Sequence, residues 1–187
     1  AALAVLALGT AAPAARAQAD AFPQRPVKIV VPFTAGGSAD FLGRLVAERL
    51  TALWGKPVIV ENRPGASTLL GLGMVAKSAP DGYTLGMNTS GLAPQPALRK
   101  NMPFDVLEDV EFVVALVETP FVLTAHPALG VGSARELAAW AKANPGALNY
   151  GSFGVGSTPH ILGEILAQSL GTKLVHVPFQ GSSESIA

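Results

Sequence analysis

Residues 27–40 read VKIVVPFTAGGSAD, and the order of residue types within them decides the class of fold. A β-branched run, Val27 with Ile29, Val30 and Val31, ends at Pro32; Gly36 and Gly37 follow, then Ser38 and Asp40. β-Branched side chains suit a buried strand. The next stretch, FLGRLVAERLTALWG over residues 41–55, repeats apolar residues at helical spacing. This predicts a strand at 27–31 and a helix over about 39–54, with Leu42, Leu45, Val46, Arg49 and Leu53 as its inner stripe and Gly55 as its stop. A strand, a glycine turn and a helix N-terminus in succession form the kind of junction at which small anions dock.

The same grammar recurs outward from this stretch. PVIVEN (57–62) reads as a second strand, RPGAST (63–68) as a turn, and Leu69–Lys77 as a helix; APDGYTLGMNTS (79–90) is a Pro-Asp-Gly turn feeding a strand at Tyr83–Met87. The proline-rich segment GLAPQPALRKNMPFDVLEDVEF (91–112) interrupts the rhythm and reads as a crossover between lobes. FVVALVETPFVLTA (112–125), broken by Glu118 and Pro120, predicts two strands with a turn between them. Ser133 and Glu136 make a capping box for a helix through Ala143. LNYGS is a strand. GVGSTPHILGEILAQSLG (154–171) is a glycine loop and a helix, with Ser157 or Thr158 as N-cap and Gly171 as stop. KLVHVPF is a strand and QGSSESIA opens another helix. Strands alternating with helices argue for an α/β protein with mostly parallel sheets.

Composition excludes several functions. Of 187 residues, 49% are hydrophobic and 14% charged, with thirteen Lys+Arg against thirteen Asp+Glu, so no basic stripe exists to hold nucleic acid. The absence of cysteine removes disulfides, thiolate nucleophiles and Cys-ligated metals. Residues 1–17 end in Ala15-Arg16-Ala17, a small-x-small pattern, and read as a secretory signal that lacks an initiating Met and a basic start. No other segment reads as a membrane span. Export is the expectation.

Four junctions carry the chemistry: Phe33–Asp40, Asn88–Gly91, Ser152–His160 and Phe179–Ser183. In a parallel sheet all lie at the carboxyl edge, where helix N-termini present unpaired N–H groups and a partial positive charge. None holds Lys or Arg, which favours a small carboxylate over a nucleotide phosphate. Each residue has two readings. Gly36-Gly37 is a turn for close packing or a ligand cradle. Asp40 is a favourable first-turn charge or a partner for a ligand amine or hydroxyl. Ser157 and Thr158 are caps or ligand donors, and His160 is a neutral hydrogen-bonding group rather than a metal ligand. His126 and His176 have no ligand-spaced partners, and Arg99 with Lys100 read as a solvated face. No Gly-x-Ser-x-Gly elbow or His-Glu-x-x-His motif is present, so catalysis, cofactors and metals are not expected.

Six stretches in order, among them FPQRPVKIVVPFTAGGSAD, GKPVIVENRPGA, NPGALNYGSFGVGSTPHILGEIL and VHVPFQGSSESI, make the chain resemble the Bug family, the periplasmic receptors of tripartite tricarboxylate transporters. The resemblance implies a two-lobed, class II periplasmic-binding-protein fold. Lobe one would be residues 18–102 and lobe two 103–187, both incomplete and finished by a C-terminal return segment. It implies a monomer that binds a di- or tricarboxylate, acidic amino acid or aromatic acid and serves integral-membrane permease subunits. The family's loops map onto Phe33, Thr34, Ala35, Gly36, Gly37 and Asp40; onto Asn88, Thr89 and Ser90; onto Ser152, Gly156, Ser157, Thr158 and His160; and onto Phe179, Gly181 and Ser182. Closure is expected to bring the Ser157 loop toward Gly36-Gly37. Thr34, Ser67-Thr68, Pro159 and Phe179 depart from the family's common pattern. Rival readings are a sensor subunit of the same fold, a fragment without function, and a hydrolase acting through Ser157.

Overall fold

A computed structural model describes residues 22–186; the signal-sequence reading of residues 1–17 lies outside them. Strand β1 (Val27–Val31) is the centre of a three-stranded parallel sheet. Helix α1 (Ser38–Trp54) follows it, then β2 (Val58–Asn62), α2 (Leu69–Ala76) and β3 (Thr84–Gly86), in the sheet order β2-β1-β3. Register runs Val27 against Val58 and Lys28 against Thr84. Because β1 has a neighbour on each side, the chain leaves it one way through α1 and reaches the other side through α2. Its carboxyl end is therefore the topological switch point, where a crevice opens.

Both faces of β1 are covered, which explains why its run is apolar throughout save Lys28. Ile29, Val31, Phe33 and Ala47 form one core cluster under α1. Leu69, Leu72, Leu92, Phe104 and Val106 form another around α2. The inner stripe of α1 differs from the expected one: Asp40, Gly43 and Ala47 are buried, while Leu45 is 42% and Leu53 76% exposed. Close approach is the reason. A Cβ on Gly43 would stand 2.9 Å from Val31 Cγ2, so the helix seats its small residues on the sheet and turns its leucines aside.

After the short helix α3 (Gln95–Leu98), the chain reaches α4 (Ala134–Ala143), β4 (Asn149–Ser152), α5 (Thr158–Leu170), β5 (Val175–Pro178) and α6 (Ser182–Ile186). Strands β4 and β5 pair in parallel, Asn149 against Val175 and Ser152 against Pro178. Ser133 caps α4 by accepting from Glu136 N at 3.2 Å, while Glu136 Oε2 takes the Gly132 N–H rather than that of Ser133. Gly55 and Gly171 end α1 and α5 in the left-handed conformation, as expected.

The two strands expected in 112–125 do not form. The segment is irregular and exposed, with Val113 at 79% and Val122 at 76%. A strand needs a ladder partner, and this segment pairs with none among the described residues. No helix among the described residues is long and apolar enough to cross a membrane.

Candidate functional site

The carboxyl ends of both sheets face one another across a cavity of about 330 Å³. Hydrogen bonds and a ring contact join the two sides. Ser67 Oγ donates to Val155 O at 2.6 Å, and Ser90 Oγ lies 3.1 Å from Thr158 Oγ1. Gln95 Nε2 donates to Gly156 O at 3.0 Å, and Thr34 Oγ1 sits 3.4 Å from Ser183 Oγ. The Phe33 and Phe153 rings meet edge to face with centroids 6.4 Å apart. Gly37 lies close to the opposing loop, where a Cβ would stand 2.9 Å from Ser182 Oγ and turn that hydroxyl aside.

The expected site residues divide into three groups. Phe33 and Phe179 line the cavity itself. Thr34, Ala35 and Gly37 close one flank against Gly181, Ser182 and Ser183, while Ser90, Gly156 and Thr158 close the other. The rest serve the loops. Both carboxylate oxygens of the buried Asp40 are occupied: Oδ2 accepts from Gly36 N at 2.9 Å and Arg44 Nε at 3.0 Å, and Oδ1 from Asn62 Nδ2 at 2.9 Å. With both oxygens taken, Asp40 ties the Gly36 turn to α1 and β2, a role that neither of its two expected readings named. The Arg44 guanidinium first, then the Gly36 N–H and the Asn62 amide, hold its carboxyl down to about 2, against the opposing effect of burial. Ser157, buried, donates to Gly154 O at 2.7 Å, and Thr89 O accepts from Leu92 N. Asn88 stands exposed at the end of β3.

The Ser157 loop faces Ser67, Gly91 and Gln95, and it is the Gly181–Ser183 loop that meets Gly36-Gly37.

Sequence reasoning missed three participants. Gln95, fully buried, donates to both Gly91 O and Gly156 O and accepts from Arg99 Nε at 2.9 Å. Arg99, expected on a solvated face, lines the cavity. Residues 66–68 take positive φ, at 49°, 54° and 81°. Only Arg99 had a signal, as a charge beside a proline-rich crossover. Gln95→Leu is expected to remove about 2 kcal/mol of stability, because two buried carbonyls lose their donor; urea denaturation measures it.

A second cluster braces the Ser152–His160 loop from behind. His176 Nε2 is 2.5 Å from Ser152 Oγ, its ring lies 4.2 Å from that of His160, and Tyr150 stacks on it at 5.1 Å. His160 Nδ1 accepts from Gly156 N at 3.2 Å, which ties the ring to the loop. Tyr150 donates to Glu164 at 2.7 Å; burial first, and then that carboxylate, push its phenol upward. Burial, reinforced by repulsion from His160 and opposed by Glu164, lowers the pKa of His176. The unfolded chain then binds a proton more readily than the fold. Stability is therefore expected to be full above about pH 6.5 and to fall as pH drops below it, toward the depressed folded value. Thermal melts from pH 7.5 to 5 measure the slope, which His176→Gln is expected to flatten. Among the described residues, no group of three or more His, Asp or Glu is placed to hold a metal.

Two α/β units with loops converging on one cavity make the two-lobed architecture of periplasmic binding proteins, which solved structures of that class match. Residues 42–187 match the model of the tripartite tricarboxylate transporter family receptor. The chain is 38% identical over 181 residues to the protein BugT of Bordetella pertussis, covering 96% of this chain and 56% of that one. Its fold matches the periplasmic binding protein BugD at TM-score 0.74 with 30% identity, over 88% of this chain and 55% of that one. It matches an R. palustris protein solved with adipate at TM-score 0.84 with 34% identity, over 88% and 56%. The chain belongs to the tripartite tricarboxylate transporter receptor family, the Bug receptors, which are solute-binding proteins and not enzymes. It spans about half the length of the curated relatives it matches.

Proposed function

We propose that this protein is a periplasmic receptor that closes two lobes over a small carboxylate and presents it to the membrane permease subunits of a tripartite tricarboxylate-type system. Residues 1–17 act as the export signal and the receptor works as a monomer. Residues 18–102 build lobe one and 103–187 lobe two, with Phe104 and Val106 of the crossover lying against α2. The ligand-binding loops are those at Phe33–Gly37, Ser90, Gly156–Thr158 and Phe179–Ser182.

The observation that carries this reading is the convergence of loops from both sheets on one cavity, in a fold whose adipate-bound relative matches at TM-score 0.84. Closure excludes water, which strengthens each bond from N–H or hydroxyl to carboxylate. Calorimetry on the full-length protein against dicarboxylates, tricarboxylates, acidic amino acids and aromatic acids tests it. Saturable binding of at least one acid is expected. Binding of none, with a sugar or a cation bound instead, overturns the reading.

A further inference from the structure

We propose that Thr68 and Arg99 form the carboxylate-holding pole of this cavity, and that its phenyl walls select an acid of low charge with an apolar body, aromatic or alkyl, over a hydroxylated tricarboxylate. The proposal rests on the carboxylate reading above and narrows it.

Thr68 is 6% exposed, lines the cavity, and its Oγ1 is buried with no hydrogen-bond partner. Leaving a buried hydroxyl without a hydrogen bond is unfavourable, so it calls for a partner from outside the chain. It stands as N-cap of α2 without making the usual cap bond, while the Leu69 and Leu70 N–H groups are taken by Ala66 O and Gly65 O, so the hydroxyl is the group left without a partner. Left-handed backbone at Ala66, Ser67 and Thr68 holds it there.

Arg99 supplies the charge. It is the one charged residue lining the cavity, and among the described residues no carboxylate lies within ion-pair distance of it, whereas Arg44 and Arg63 are paired with Asp40 and Glu61. Its Nε is fixed on Gln95 Oε1 and its Nη2 lies 3.5 Å from Ala66 O, so the guanidinium is held beside the Thr68 turn. A planar fork of N–H donors matches a carboxylate.

Most of the remaining wall is apolar: Phe33, Phe153 and Phe179 come from three different loops, with Pro32, Val155 and Pro178 between them, while the Ser67 hydroxyl donates to Val155 O and Gln180 is the other polar residue. A citrate-like trianion would bring three carboxylates and a hydroxyl to one guanidinium. Each unpaired carboxylate removed from water carries a heavy desolvation cost. An acid of one or two charges with a ring or methylene chain buries its body against phenyl faces and needs one strong anchor.

Titration calorimetry of the full-length protein with benzoate, adipate and citrate decides it. Benzoate or adipate is expected to bind at least tenfold tighter than citrate. Arg99→Gln is expected to weaken the preferred acid at least tenfold. Thr68→Val, isosteric, is expected to raise the melting temperature of the ligand-free protein by removing the orphaned hydroxyl, yet weaken the acid several-fold. That opposite sign separates a binding role from a structural one, and it stands if Arg99→Gln does not fold. Citrate bound as tightly as adipate, or an unchanged dissociation constant in Arg99→Gln or Thr68→Val, overturns the assignment while leaving the carboxylate reading intact. Failure of every acid to bind the wild-type protein overturns both.

Discussion

Replacing Asp40 with alanine is expected to remove about 3 kcal/mol of stability and to loosen the loop that closes one flank of the cleft. The side chain is buried, and three donors converge on it: the Gly36 N–H, the Arg44 guanidinium and the Asn62 amide. Asn62 also donates to Phe33 O at 3.1 Å, so one network ties both ends of the Phe33–Gly36 turn to α1 and β2. Alanine leaves the Gly36 N–H and one Asn62 amide hydrogen without acceptors, while the partly exposed Arg44 recovers water and mitigates the loss. The pH signature follows from a carboxyl held at about 2 in the fold and near 3.8 when unfolded. Its stabilisation is present in full above pH 4 and is lost as pH falls toward 2. Urea denaturation at pH 5 and at pH 2.5 measures this. The difference between wild type and Asp40→Ala is expected to be large at pH 5 and to shrink at pH 2.5; a constant difference excludes the carboxylate as the source.

Gly71→Val is expected to be comparably damaging, by about 3 kcal/mol or more, through a different cause. The glycine lies in the first turn of α2, where a Cβ would stand 2.8 Å from Arg63 O, 2.9 Å from Pro32 Cβ and 3.1 Å from Pro32 Cα. Two of these are backbone atoms of the turns leaving β1 and β2, so no side chain can swing aside. Accommodating valine would push α2 away from the switch point and carry Thr68 and Leu72 with it. Thermal denaturation reads the loss. Gly36→Ala is the contrast: a Cβ there meets nothing within 4 Å, but φ is +84°, so about 1 kcal/mol of backbone strain is expected instead.

Much of this was legible from residue order alone. The β1–α1 boundary, the glycine stops at Gly55 and Gly171 and the Ser133 cap are local, because each depends on propensity or on hydrogen bonds a few residues apart. Resemblance in six motifs led to the family. The failures have one physical origin. Leu45 and Leu53 looked core-facing until a glycine–alanine seam replaced them, because helical period says which residues share a face and not how near the sheet lies. The 112–125 stretch has strand-forming residues, yet a strand exists only where another supplies its ladder.

By itself, then, the order of residues determined the α/β class, the strand–glycine–helix junctions and their placement at a carboxyl edge, since these rest on contacts between near neighbours in sequence. Tertiary structure alone decided which loops meet: Gly37 with Ser182, Ser67 with Val155, Gln95 with Gly156. It also carried Arg99 from a presumed solvated face to a cavity wall and left the Thr68 hydroxyl without a partner. The physical reason is separation along the chain: partners 61 to 145 residues apart in sequence carry no shared local signal, and only the register of two sheets brings them together.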